Sequence, residues 1–226
     1  MNILITGSSR GLGLSLVQEL LNREGHLIFG ISRSAIPESL KGFTNYIHLS
    51  TNLLQIEGMD VIYKEVSSKV ESIDVIINNA GLLINKPFGE TSIAEIDQLM
   101  AVNFRSPAVL IQRLLPLLRH GSHIMNIGSM GGVQGSVKFP GLSFYSASKG
   151  ALTILTEVLA EELKPLGIHV NCLALGSVQT EMLAEAFPGY QASFSPEEMA
   201  IFLADFAERN YQFFNGKSLQ LAITTP

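Results

Sequence analysis

"NILITGSSRGLG", residues 2–13, carries the transition on which the fold turns. Its first five residues are apolar and rich in β-formers. Its end opens an amphipathic pattern, with Leu12, Leu16 and Leu20 beside Val17 and Leu21 at helical spacing, closed by Gly25. Between strand and helix stand Gly7, Gly11 and Gly13. Glycines there permit a tight turn and let the backbone approach a ligand closely. The helix behind them offers unpaired N–H groups and a positive dipole end to a pyrophosphate. Many strand-to-helix turns need glycine for geometry alone, so it is the position at the first such junction that favours a nucleotide.

The same alternation runs through the chain. Strand-like runs fall at 26–32, 45–49, 74–78, 123–128, 168–175 and 218–223, and helical patterns at 53–70 and 146–164. Ser92 and Glu95 have the spacing of a capping box, opening a helical region that reaches about residue 118. Ser195-Pro196-Glu197-Glu198 reads as another helix start, with proline in the first turn. Strands alternating with helices predict an α/β fold: a Rossmann-type, doubly wound parallel sheet of about seven strands with helices on both faces. No linker or repeat divides it, so residues 1–226 are expected to form a single domain.

Composition agrees with one large core. Of 226 residues, 46% are hydrophobic and only 15% charged. The formal net charge of -5 and the scattered 15 Lys and Arg argue against a nucleic-acid partner. No apolar run is long enough to span a bilayer, and the strand-like run from Asn2, with no charged region before it, does not resemble a signal peptide; a cytoplasmic protein with no membrane partner is expected. Cys172 lies in the apolar stretch "IHVNCLAL" and reads as a small buried hydrophobe. No metal site is expected: His120 and His123 have Gly121 between them and no carboxylate or thiol close by.

The glycine spacing is T-G-x-x-x-G-x-G, not the G-x-G-x-x-G of ordinary dinucleotide folds. With "NNAG" at 78–81, the chain resembles the short-chain dehydrogenase/reductase family. The resemblance covers nearly the whole sequence. "VNF" (102–104) makes Asn103 the counterpart of the family's relay asparagine. "NIGS" (126–129) ends the fifth strand with Ser129 where the family has its catalytic serine. "YSASK" (145–149) supplies Tyr145 and Lys149, "LGSVQT" (175–180) stands where the family has P-G-x-x-x-T, and "NGKSLQLA" (215–222) resembles its closing strand. Tyr145 and Lys149, four apart on a helix, share a face; such pairs alone are common surface contacts, and it is the ordered series that lifts this one.

The resemblance implies the chemistry. A free tyrosine has a pKa of about 10, and a nearby ammonium together with an oxidised nicotinamide would lower it. Tyr145 would then act as general acid or base on a carbonyl or alcohol. Ser129 would bind the substrate oxygen, Lys149 would also hold the nicotinamide ribose, and Asn103 would hold a water relaying protons to Lys149. The cofactor would contact Gly7, Ser9, Arg10, Gly11, Leu12 and Gly13 in the first loop, and Ser32 and Arg33 after the second strand. Asn79, Ala80 and Gly81, then Tyr145 and Lys149, and finally Gly176, Val178 and Thr180 complete the set. Ser32 stands where an aspartate would select NAD, and Arg33 and Arg10 could meet a 2′-phosphate, which favours NADP(H) over NAD(H).

Two departures from the family pattern stand out. The segment "MGGVQGSVKFPGLSF" between Ser129 and Tyr145 is slightly long and carries four glycines, which could reshape the substrate entrance. Leu175 replaces the usual proline, which is expected to loosen the turn at Gly176. The stretch after Thr180, with Met182, Leu183, Phe187, Tyr190 and Phe194, is expected to cover the site and to suit an apolar, aromatic or acyl carbonyl substrate. The expected activity is carbonyl reduction or its reverse; the rival is a non-catalytic NADP(H) sensor on the same fold. The helices at about 104–118 and 146–164 carry apolar residues on more than one face, as a homodimer or homotetramer would require.

Overall fold

A computed structural model describes residues 1–223; the last three residues of the expected domain lie outside these. Seven parallel strands form one sheet in the order β3-β2-β1-β4-β5-β6-β7. They are β1 (Asn2–Thr6), β2 (Leu27–Ser32), β3 (Tyr46–Ser50), β4 (Ile73–Asn78), β5 (Leu118–Ser129), β6 (His169–Leu175) and β7 (Ser218–Leu221). The order reverses between β1 and β4, the switch point outside whose carboxyl ends open sheets of this kind bind their ligands.

Alternate residues of each strand face opposite layers, and both layers are covered, so the strands are almost continuously apolar. Ile3, Ile5, Val75, Ile77, Met125 and Leu173 pack against α1 (Gly11–Leu21) and α7 (Pro196–Glu208). Leu4, Phe29, Ile31, Ile76, Ile124 and Val170 pack against α2 (Ile56–Ser67), α4 (Ser106–Leu114) and α5 (Ser143–Leu163). No helix among the described residues is long and apolar enough to cross a membrane.

The capping boxes form: Ser92 caps α3 (Ile93–Met100) with Glu95, and Ser195 caps α7 with Glu198. The long helical region after Ser92 is interrupted. Residues Ala101–Arg105 form a π-helical turn between α3 and α4, and Asn103 lies within it. Strand β5 begins five residues before the expected run; Leu118 pairs with Ile73, and the register shifts before His123 pairs with Val75. A short helix, α6 (Glu181–Ala186), occupies the stretch after Thr180 and has no counterpart in the sequence pattern.

Candidate active site

The residues singled out in the sequence converge at the carboxyl ends of the central strands. Thr6 ends β1, Ser32 ends β2, Asn78 ends β4 and Ser129 ends β5, so each motif leaves the sheet on the same side. Gly7 has φ +72°, and a methyl there would come within 2.9 Å of the Ala80 Cα. A side chain on Gly13 would overlap the Gly7 carbonyl, so this glycine seats α1 directly on the loop. Thr6 Oγ1 accepts hydrogen bonds from the Asn79 and Ala80 amides at 3.1 and 3.0 Å, while Asn79 Nδ2 donates to the carbonyls of Thr6 and Gly7. The glycine loop and the NNAG loop are therefore one rigid unit, lashed together by Thr6 and Asn79.

Helix α1 begins with no acidic residue in its first turn and no side-chain cap from Arg10. Its N-terminal N–H groups remain open to an anion. Leu12 sends its side chain into the core, so its contribution there is main chain only. Ser9 is half-buried and Arg33 is exposed. Arg10 is also exposed and lies 3.8 Å from Glu185 on α6. These features fit a dinucleotide phosphate along the loop.

Asn103 is buried, and its amide is fully engaged. Oδ1 accepts from the Leu82 N–H at 2.8 Å, and Nδ2 donates to the Leu82 carbonyl at 2.8 Å and to Ser148 Oγ at 3.0 Å. Ser148 in turn donates to the Tyr145 carbonyl at 2.7 Å. The side chain thus clamps the chain after NNAG onto α5. Lys149 is buried and donates to the Ile127 carbonyl at 2.8 Å. Gly81 lies in this corner: a methyl there would sit at ordinary contact distance, 3.5 Å from Asn103 Oδ1 and 3.6 Å from Lys149 Nζ.

Tyr145 is half-buried, and its hydroxyl faces Ser129. Burial pushes the phenol above its ordinary value, and the Ser129 contact only partly opposes this. Burial brings the Lys149 ammonium down to about 8, against a smaller opposing pull from Cys172. The expected lowering of the Tyr145 pKa is therefore not set by the protein's own groups: desolvation wins. Ser129 Oγ also accepts from the Gly131 amide at 3.2 Å.

The long segment after Ser129 uses its glycines in two ways. Gly132 packs its Cα against Lys149 and Gly150, and Gly131 packs against Ser146, so this pair seats the segment on α5. Gly135 and Gly141 have positive φ and shape the rim instead. Leu175 remains a strand residue, registered with Ser129 and Leu221, and the Gly176 amide donates to the Leu221 carbonyl at 2.8 Å. The turn is held by this pairing where a proline would have held it. Val178 bridges to Phe194, and Thr180 caps α6 by accepting from the Leu183 amide. Phe194 packs against the core and does not line the site, whereas Asn85 donates to the Ala186 carbonyl at 2.9 Å and ties α6 to the loop after NNAG.

A family model described as short chain dehydrogenase matches residues 1–191. The chain belongs to the short-chain dehydrogenase family. It is 30% identical over 189 residues to a 3-oxoacyl-[acyl-carrier-protein] reductase of Aquifex aeolicus, covering 80% of this chain and 75% of that one. It is 31% identical over 203 residues to a cyclopentanol dehydrogenase of a Comamonas species, covering 84% and 78%. The fold matches the crystal structure of a 3-ketoacyl-(acyl-carrier-protein) reductase from Brucella melitensis complexed with NADH, with a TM-score of 0.87, 97% and 95% coverage and 22% identity. As a member of this short-chain dehydrogenase family the chain is an oxidoreductase with a nucleotide-binding Rossmann-type domain.

The sequence reading did not assign roles to Thr6, Ser148 or Asn126. Asn126 accepts from Asn78 at 2.8 Å and donates to Thr156 at 2.9 Å, joining β4, β5 and α5 beneath the site. Thr6 and Asn126 stood inside quoted motifs, and the signal available was their place at strand ends. For Ser148, helical spacing from Tyr145 indicated a shared face, but nothing local indicated Asn103 opposite.

Proposed function

We propose that this oxidoreductase is an NADP(H)-dependent carbonyl reductase, or alcohol dehydrogenase in reverse, with Tyr145 as general acid/base. The observation that carries the reading is the Tyr145–Ser129 contact above a buried Lys149 at the sheet's carboxyl edge. A phenol held above its ordinary pKa stays protonated at neutral pH, which suits donation to a carbonyl oxygen. Ser129 Oγ, fixed by the Gly131 amide, holds that oxygen in place. When bound, the nicotinamide supplies or accepts the hydride. Lys149 would hold the nicotinamide ribose, and the main chain at Asn103 would hold a water able to exchange protons with it. Arg33 and Arg10 would meet the 2′-phosphate; the loop residues Gly7, Ser9, Gly11, Leu12 and Gly13 would hold the pyrophosphate. Asn79, Ala80 and Gly81 would line the floor, and Gly176, Val178 and Thr180 the carboxamide side.

The substrate would be a small apolar or acyl carbonyl compound. Phe88 and Phe144 stack at 5.3 Å, Phe88 being exposed, and Met182, Leu183 and Phe187 lie half-buried on the segment after Thr180. The names of the relatives, an oxoacyl reductase and a cyclic-alcohol dehydrogenase, agree with that class. One domain would carry both cofactor and chemistry, in the cytoplasm, as a homo-oligomer.

The test is Tyr145→Phe, which keeps the ring and removes the transferable proton. With a panel of ketones, aldehydes and 3-oxoacyl thioesters followed by NADPH absorbance, turnover should fall by at least ~100-fold. NADPH binding should change little. Reduction at the wild-type rate would remove Tyr145 from the role, and tight NADPH binding with no substrate accepted would favour a sensor. Replacing Arg33 and Arg10 by alanine should weaken NADPH far more than NADH.

A further inference from the structure

The loop that carries Arg33 is held by a side chain from the neighbouring strand. The Ser34 carbonyl accepts two hydrogen bonds, one from Ser32 Oγ at 3.1 Å and one from His48 Nε2 on β3 at 3.0 Å. A carbonyl can only accept, so the His48 proton sits on Nε2. In the neutral ring Nδ1 is then an acceptor, and it faces the Tyr46 hydroxyl at 3.4 Å. That hydroxyl also lies 3.4 Å from Ser8 Oγ in the glycine loop. A side chain at Gly30 would overlap the Tyr46 hydroxyl, so the glycine in β2 is what admits this chain of groups.

The main chain just before Arg33 is pinned: Gly7 and Ser8 amides donate to the Ile31 carbonyl, and the Thr51 amide donates to the Ser32 carbonyl. Beyond Ser32 the strand ends and Arg33 is exposed, outside every ion pair found among the described residues. The loop is thus held on both sides of Arg33, at Ser32 and at the Ser34 carbonyl.

We propose that His48 is a positioning residue for cofactor selection: through the Ser34 carbonyl it orients Arg33 toward the ribose 2′-position and so sets the preference for NADPH over NADH. This rests on the reading of Arg33 as a 2′-phosphate ligand. His48 does not touch the cofactor's reacting end, and its loss spares the chemical step.

The experiment measures Kd for NADPH and for NADH by fluorescence titration in wild type, His48→Ala, His48→Gln, Arg33→Ala and the Arg33→Ala/His48→Ala double variant, each checked for an unchanged melting transition. One partly exposed hydrogen bond is worth about 1 kcal/mol, or about five-fold in Kd. His48→Ala should therefore weaken NADPH about five-fold while NADH moves less than about two-fold. His48→Gln, whose amide can donate to Ser34, should recover most of the loss. In the Arg33→Ala background His48→Ala should have no further effect on the ratio. Equal weakening of both cofactors, failure of His48→Gln to rescue, or an unchanged ratio in a wild type that prefers NADPH would overturn the role of His48 alone. A wild type that binds NADH as tightly as NADPH would overturn the cofactor reading and this proposal together.

Discussion

The Arg10 guanidinium lies 3.8 Å from the Glu185 carboxylate, joining the glycine loop to α6. Both side chains are largely exposed, so the pair is weak, at most about 1 kcal/mol. The pairing has a consequence for binding all the same. A 2′-phosphate drawing on Arg10 must compete with Glu185, whereas NADH makes no such demand.

Glu185→Gln should therefore tighten NADPH binding by about two- to five-fold, the range set by a weak surface pair. NADH binding should stay constant. Titration of both cofactors at low salt checks this, and the gain should shrink as salt is added. An equal gain for NADH would show that the pair acts on the covering helix alone.

Lys149 makes stability depend on pH on the alkaline side. Its pKa is about 8 in the folded chain against 10.5 for the free side chain, with burial the cause. Below pH 8 the folded state must carry a buried ammonium that the unfolded state carries in water, so the cost is full there. It is relieved as pH rises from about 8 to 10.5, where the folded chain has released its proton and the unfolded chain still holds it. Lys149→Met removes the charge and keeps the length. It should raise the melting temperature by a few degrees at pH 7, and this advantage should fade between pH 8 and 10.5. A variant less stable than wild type at pH 7 would mean that the bond to Ile127 outweighs desolvation.

His123 acts on the acid side. It stacks on Tyr211 at 4.4 Å in the core, and burial, then the neighbouring His169, hold its pKa down to about 3. Above pH 6.5 the ring is neutral folded and unfolded, and it contributes no slope. Between 6.5 and about 3 only the unfolded chain takes up the proton, so stability is lost as pH falls through that window. His123→Phe keeps the stacking and removes the titration. Its urea midpoint should fall less steeply than that of wild type from pH 6.5 to 4, and parallel curves would refute the assignment.

The fold was legible because its signals are local. Each strand-to-helix junction shows in a few residues, and each apolar run shows a sheet buried on both faces. The site was legible only as an ordered set of motifs. What remained hidden was contact between distant segments: Asn103 spending its amide on Leu82 and Ser148, and His48 reaching the Ser34 carbonyl from the next strand. The π-helical turn at Asn103 also escaped, since the sequence there keeps an ordinary helical pattern. The burial that raises the Tyr145 phenol without cofactor was hidden for a related reason, because spacing gives adjacency and says nothing of desolvation.

The last prediction concerns association. Of the residues whose all-round apolar pattern suggested an oligomer, Leu110, Leu114, Leu117 and Leu152 are buried within the subunit, and Val109, Leu155 and Leu159 are partly covered. These need no partner. Val158 is different: with Ile154 one turn earlier, it forms an exposed apolar pair on the outer face of α5, at 48% and 60% exposure. If α5 packs against a second copy, these two residues meet it, and a charge at either would be buried without a counter-ion. Ile154→Glu with Val158→Glu, two like charges that cannot neutralise each other, should then shift the protein to monomer in sedimentation at micromolar concentration, with the melting transition lowered because subunit contacts are lost. Wild-type protein that sediments as a monomer under the same conditions would show that the pair is ordinary exposed surface.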